Sequence, residues 1–303
     1  MDKNIILIPP CFTYGDILSI IGMVHYLMQH YDKVYLYIED RSNMICRYYT
    51  HFFSKHTNFN KNIFIVANDQ IYTILNHCEY GEYHICNTRT ENWDKPNELF
   101  YGINTIDKQF YFNDMNPLYN KLKIDDKYIC KPNTHLPNNN LEINHLFYYK
   151  LVGLNNNVRM DFFHYERDEE MELYYKNEIL KIHNISNGDK YNIINSSGLT
   201  VEINIFKKHI KNDYACIDIH NLVEFPGWLL LLIENAETVN LVEGSNVNFI
   251  YHCQYKNIIK ITSPVYFYIW LRDRKWEQYN LDKASTMMTT PILENWKFLY
   301  EDL

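Results

Sequence analysis

The side chains able to do polar chemistry gather in a few short stretches, each at the border of an apolar run. Thr13-Tyr14-Gly15-Asp16 follows the β-favouring run Asn4-Ile5-Ile6-Leu7-Ile8 and the pair Pro9-Pro10. Beyond it, Ile17, Ile20, Ile21, Val24, Leu27, Met28 and Tyr31 recur at the spacing of one helix face. Asp16 therefore stands where a strand gives way to a helix, and Gly15 permits a close backbone approach there. Two readings suit a carboxylate in that place. It is either a helix cap facing exposed amides, or a general base that takes a proton from a hydroxyl.

Two further polar turns lie in the second half, Ser196-Ser197-Gly198 and Glu243-Gly244-Ser245-Asn246, each after an apolar strand-like run. The latter opens a helical pattern, whose free amides can hold a phosphate. Neither carries the glycine and lysine spacing of a dinucleotide fingerprint or a P-loop. A plain turn with Ser245 as helix cap is the competing reading. His220 follows Asp218-Ile219 at another strand end, as a cleft-facing group or a hydrogen-bonded structural one, and Arg159 is either an anion clamp or a tie between domains. His77, Cys78, His84 and Cys86 match no common zinc spacing, and Asp125-Asp126 lacks a preceding apolar strand, so no metal site is expected.

Strands and helices must alternate to position such turns. Strands are expected at 4–8, 33–38, 62–66 and 82–86, with helices over 17–31, 42–53 and 69–76 between them. That alternation implies parallel βαβ units and a Rossmann-like sheet. From 87 to 140 the pattern weakens into loop chemistry, and helices are expected again at 141–152 and 168–182, the second with acidic residues first and lysines near its end. Strands at 191–195, 214–219, 238–242 and 257–261, with helices at 227–235 and 247–254, build a second Rossmann-like domain. The last segment, with Leu293, Trp296, Phe298 and Leu299, reads as a short helix.

Composition limits the function. A chain of 303 residues with 47% hydrophobic residues can bury two cores of ordinary size. Its formal charge of -8 argues against a surface that collects nucleic-acid phosphates. Seven cysteines without a Cys-x-x-Cys pair suit reduced thiols, and the longest apolar run, Trp228-Leu229-Leu230-Leu231-Leu232-Ile233, is too short to span a bilayer. With no signal peptide evident, a cytoplasmic protein is expected, in the host cytoplasm if it is viral.

Tyr14-Gly15-Asp16-Ile17-Leu18 resembles the Gly-Asp-hydrophobic motif of heptosyltransferase- or fucosyltransferase-like glycosyltransferases with the GT-B fold, of bacterial or giant-virus type. The segment Phe147-Tyr148-Tyr149-Lys150-Leu151-Val152-Gly153-Leu154, with Arg159, Phe162 and Arg167-Asp168, resembles their interdomain segment. Leu232-Ile233-Glu234-Asn235-Ala236-Glu237, running into Val242-Glu243-Gly244-Ser245, is similar to their donor-domain segment. The sequence departs from that family in having neutral Asn195-Ser196-Ser197-Gly198-Leu199-Thr200 where a basic residue is frequent, with Lys207 or Lys208 available instead. Glu243 stands where Asp is common.

The resemblance implies two Rossmann-like α/β domains facing across a cleft. On that reading residues 1–155 form the acceptor domain, 156–188 the connection, 189–285 the nucleotide-sugar domain, and 286–303 a C-terminal helix that packs back on the first domain. It implies a metal-independent, inverting transfer from a GDP-, UDP- or similar nucleotide-sugar to a glycan or other hydroxyl, with no bound cofactor. Asp16 is the base, Thr13, Tyr14, Gly15 and Arg159 lie on the acceptor side, and Ser196, Ser197, Gly198, His220, Glu243, Gly244, Ser245 and Asn246 bind the donor. Asp16 is then expected to face Ser245 and Asn246 across the groove. A nucleotide-sugar epimerase of the same architecture and a non-catalytic sugar- or nucleotide-binding module are the alternatives.

Overall fold

The computed structural model describes residues 2–8, 14–38, 44–57, 60–67, 81–87, 108–112, 149, 154–155, 157–196, 209–210, 213–242, 245–268 and 293–299. The chain divides into two compact units, Met1–His164 and Tyr165–Leu303, and the break falls inside the stretch 156–188.

The first unit contains β1 (Asp2–Ile8), α1 (Tyr14–Leu27), β2 (Lys33–Ile38), α2 (Met44–Phe53), β3 (Ile63–Ala67), β4 (Gly81–Asn87), β5 (Lys108–Phe112) and α3 (Asn157–Asp161). Its strands form one sheet in the order β3-β2-β1-β4-β5, and every neighbouring pair is parallel. Parallel neighbours need crossover connections that return over a sheet face, so central strands are covered on both sides and read as apolar runs. Ile5, Ile6 and Leu7 are accordingly inaccessible. The helix expected at 69–76 lies outside the described residues, and so does that at 141–152 apart from Tyr149.

Two corrections concern this unit. The stretch 87–140 is not irregular throughout, because Lys108-Gln109-Phe110-Tyr111-Phe112 forms β5. With a single ladder partner and a polar start, this edge strand lacks the apolar run of its neighbours. Helix α1 is also buried far beyond one stripe: Leu18, Ile20, Ile21, Met23, Val24, Tyr26 and Leu27 are all at most 2% exposed. The second partner is α3, which packs closely enough for a Cβ on Gly22 to fall 2.5 Å from the Arg159 carbonyl oxygen and 2.7 Å from that of Val158. The Met23 amide donates to the buried Tyr149 hydroxyl at 3.0 Å, a further long-range tie to α1.

The second unit contains α4 (Glu169–Ile182), β6 (Tyr191–Asn195), β7 (Ala215–Asp218), a 3-10 turn (Pro226–Leu229) that runs into α5 (Leu230–Glu234), β8 (Thr238–Val242), α6 (Ser245–Tyr255), β9 (Val265–Tyr268) and β10 (Trp296–Leu299). The sheet order is β10-β9-β8-β6-β7, again parallel throughout. Asp168 caps α4 by accepting from the Met171 amide at 3.4 Å. Arg167, next to that cap, donates to the fully buried Glu172, to Glu234 at the end of α5 (2.9 Å) and to the Ile258 carbonyl (3.3 Å). Glu234 also accepts from the Lys260 amide at 2.7 Å. Burial pushes the Glu172 carboxyl up from its ordinary value, and the Arg167 hydrogen bonds pull it back only in part.

Here too the structure overturns two expectations. Residues 257–261 are not a strand: Asn257 adopts φ 56°, and the Ile258 amide donates to the Cys253 carbonyl at 2.8 Å, ending α6. Ile259 and Ile261 are buried as apolar anchors of that loop, while the Ile261 carbonyl accepts from Gln254 and Asn295. The strand begins only after Pro264, at Val265. Nor is the final segment helical. Trp296 and Phe298 share one face at period two, their rings 6.3 and 5.5 Å from Phe267, and the segment pairs with β9 as an edge strand.

Cys46, Cys216 and Cys253 are free thiols. Burial raises Cys253 well above the usual thiol range and Cys216 to about 11, so neither is a reactive thiolate. Among the described residues no helix is long and apolar enough to cross a membrane.

Two outcomes test the first core. Gly22→Ala should cost roughly 1–3 kcal/mol in urea denaturation, because the new methyl meets backbone of α3. His25 is held neutral, chiefly by burial and then by its neighbours His56 and His164, with its pKa lowered to about 3. Between about 3 and the ordinary histidine value of 6.5 the unfolded chain takes up a proton that the folded chain refuses, so stability falls as pH falls. Denaturation of metal-free protein should show about 2 kcal/mol lost through this residue between pH 8 and 5. His25→Phe should abolish that part of the slope.

Candidate functional site

A doubly wound parallel sheet binds ligands beyond the carboxyl ends of its strands, at the point where the strand order reverses. In the first unit β1 connects to β2 on one side while β4 pairs on the other, so the crevice opens between the carboxyl ends of β1 and β4. Ile8 and Asn87 are register partners at that edge. The chain leaving Ile8 reaches α1 at Tyr14, which sets Tyr14, Gly15 and Asp16 at the reversal point. Asp16 is the third residue of α1, inside the first turn instead of at the cap position. There the helix dipole favours a carboxylate whether or not it reacts.

The second unit repeats the geometry. β6 has β7 on one side and β8 on the other, so its crevice lies between the ends of β6 and β8, where Asn195 is paired with Leu241. Ser196 follows one end, and Ser245 and Asn246 open α6 shortly after the other. Ser245 is the first residue of that helix. Ser196 and the start of α6 thus follow the two strands that border this crevice. Helix α6 spans 11 residues, long enough to present a dipole toward an anion.

Asp218 is the best-defined polar group at this edge. One of its carboxylate oxygens accepts from the Ser196 amide at 3.3 Å and from the His220 amide at 3.0 Å. The ladder runs on beyond it, with the Ile219 amide donating to the Ile194 carbonyl at 2.8 Å. Asp218 thus joins the chain leaving β6 to the chain leaving β7. His220 is half-buried, and its Nε2 lies 2.8 Å from the Asn221 amide nitrogen. Asn221 holds φ 53°, a left-handed turn that Asn tolerates.

A line of buried polar side chains crosses the sheet, from the amino ends of β6 and β8 to the carboxyl end of β9. The Thr238 hydroxyl donates to Asn192 at 2.7 Å, and the Asn240 amide donates to Thr238 at 3.1 Å. The Tyr268 hydroxyl donates to Asn240 at 3.4 Å, and a His209 ring nitrogen lies 2.8 Å from that hydroxyl. Their ring partners and the cluster of Ile194, Val242 and Tyr268 keep these groups from water. Strands read from apolar runs give little sign of such carboxamides; the only signal is the interruption of those runs by Asn192 and Asn195 in β6 and by Thr238 and Asn240 in β8.

The remaining expected residues fall elsewhere. Arg159 sits on α3, 2% exposed, beside Tyr149, and its backbone lies against α1 at Gly22. Thr13, Ser197, Gly198, Glu243, Gly244, Lys207, Lys208, His77, Cys78, Asp125 and Asp126 lie outside the described residues. His84 and Cys86 occupy alternate positions of β4.

No protein-family model and no curated protein matches the chain. Among solved structures it is similar to the glycosyl transferase family 9 structure from Veillonella parvula, with a TM-score of 0.49 and 10% identity over 88% of this chain and 80% of that one. A likeness at that level assigns neither a family nor an activity.

Asp218→Ala should release both amides together. Hydrogen exchange at Ser196 and His220 should accelerate, with a stability loss of about 1–3 kcal/mol, and Asp218→Asn, which keeps an acceptor oxygen, should show a smaller effect. Unchanged exchange at both amides would show that Asp218 does not order this edge.

Proposed function

We propose that the protein is a glycosyltransferase that moves a sugar from a nucleotide-sugar to a glycan or other hydroxyl acceptor, without a metal ion and with inversion. The observation that carries this reading is the tandem of two parallel five-stranded sheets whose order-reversal points receive the Asp16 turn in one unit and the Ser196 and Ser245 turns in the other. The chemistry divides between the units accordingly.

Asp16 takes the acceptor hydroxyl's proton as that oxygen attacks the anomeric carbon. The bond from that carbon to the diphosphate breaks, and the leaving nucleoside diphosphate keeps its electron pair. Developing negative charge on the diphosphate is met by the amides that open α6, with Ser245 and Asn246, and by the turn at Ser196, Ser197 and Gly198. Glu243 and Gly244 precede that helix, and His220 borders the same edge. Tyr14 and Gly15, with Thr13, shape the acceptor side. The buried place of Arg159 favours a supporting role behind α1 over direct contact with the acceptor.

A melting-temperature screen of nucleoside diphosphates and their sugar conjugates tests the donor half, because a ligand of the folded state raises its stability. At least one diphosphate should raise the melting temperature of the wild type, and the absence of any shift would sink the donor assignment. With the donor so identified, Asp16→Asn should reduce transfer by about 10²–10⁴-fold while the nucleotide-induced shift stays as in wild type. If Asp16→Asn lowers only the melting temperature, the carboxylate serves the helix dipole alone. Release of an altered nucleotide-sugar with no acceptor present would identify the epimerase instead.

A further inference from the structure

Three histidines from distant parts of the sequence meet within the first unit. His25 lies in the last turn of α1, His56 follows α2, and His164 follows α3. Their ring centroids form a near-equilateral triangle, 5.2 Å for His25 to His56, 5.6 Å for His25 to His164 and 5.7 Å for His56 to His164. Three imidazoles sharing one tetrahedral ion at metal–nitrogen distances of about 2.0–2.1 Å hold their centroids about 5 Å apart. A ring nitrogen of His56 lies within 4.8 Å of one of His164, whereas the His25 ring has to turn to bring a nitrogen to the same point.

His25 supplies an independent observation. It is 7% exposed, yet neither of its ring nitrogens has a partner in hydrogen-bond geometry. The carbonyls of Ile21 and Phe162 lie close enough to offset part of the lowering of its pKa, though burial outweighs them. Buried polar atoms in native proteins are almost always satisfied, so a buried imidazole with both nitrogens unspent calls for a reason. Phe53 packs edge-on against His25 at 5.6 Å and Phe52 stands at 6.5 Å, an apolar wall behind the triad. The three rings grade from buried His25 through half-buried His56 to exposed His164, which gives an ion a path in from solvent.

We propose that His25, His56 and His164 form a binding site for a divalent transition-metal ion of the imidazole-preferring kind, with Zn²⁺ the expected occupant. Neutral imidazole nitrogens select zinc, copper and nickel over magnesium or calcium. The site is structural. Helix α1 runs back from the carboxyl edge of the sheet, so His25 lies nine residues and about 14 Å along the helix axis from Asp16. An ion there takes no part in chemistry at the Asp16 turn. It clips α1 to the segments after α2 and α3, closing long chain loops through one set of bonds.

The test uses the full chain after chelator treatment, with Co²⁺ as the spectroscopic probe and Zn²⁺ as its competitor. The wild type should bind one Co²⁺ with the intense visible absorption of a tetrahedral nitrogen site, lose that spectrum to Zn²⁺, and melt at a higher temperature with either ion. His164→Asn, at the exposed position, and His56→Asn should each weaken binding by at least ~10-fold and abolish the tetrahedral spectrum. His25→Asn should do the same. The proposal is overturned if the wild type binds no Co²⁺. It is equally overturned if His56→Asn and His164→Asn bind as the wild type does, as they would were another of the 13 histidines the ligand. An unchanged spectrum in His25→Asn removes the third ligand and with it the site.

Discussion

Parallel strand pairing is the constraint on which the rest of this protein depends. Every ladder among the described residues is parallel, and each such pair obliges the chain to leave one strand at its carboxyl end and return across a sheet face. Two consequences are unavoidable. Covered on both faces, the strands become continuous apolar runs. The carboxyl ends then collect the turns, and with them the residues free to be polar. Asp16, Ser196 and Ser245 each follow the carboxyl end of a strand, where such turns collect.

The two units meet this constraint with different interiors. The first relies on aromatic and aliphatic packing around α1, drawn in tightly against α3 because Gly22 has no side chain. Tyr26 and Phe162 pack edge to face at 4.8 Å, and Phe52 and Phe163 do so at 6.1 Å. The second adds directional polar contacts. Arg167 gathers α4, α5 and the loop after α6 around one guanidinium, and Glu172 is tolerable in its fully buried place only because that guanidinium meets it. The Asn192-Thr238-Asn240-Tyr268 line adds two hydrogen bonds between strands beyond the backbone ladder, Thr238 to Asn192 and Tyr268 to Asn240, and a one-residue slip of register would forfeit both.

Stability and chemistry are separated along α1 itself. Its first turn stands at the carboxyl edge with Asp16, while its last turn carries His25 into the histidine cluster near the amino edge. The helix is therefore both the mount of the proposed base and a central element of the first core. In the second unit the corresponding mount is α6, whose first turn borders the crevice and whose end is anchored by the loop that Arg167 and Glu234 hold.

Much of this was legible in the sequence. Periodicity located β2, β6 and β8 to the residue and the other strong elements to within a few, because long buried strands and helices impose their period on apolar residues. It also located the polar turns that the sheets then placed at their reversal points. It failed where local pattern and tertiary use diverge. Asn257-Ile258-Ile259-Lys260-Ile261 has the composition of a strand, but its backbone ends a helix; Trp296-Lys297-Phe298-Leu299 fits a short helix by spacing, but it pairs with the free edge of β9. Strand order, the pairing of Asp218 with the Ser196 amide, the close approach of α3 to Gly22 and the meeting of His25, His56 and His164 belong to the tertiary structure alone. Each joins residues far apart in the chain, and no local propensity carries information about which distant segment closes on which.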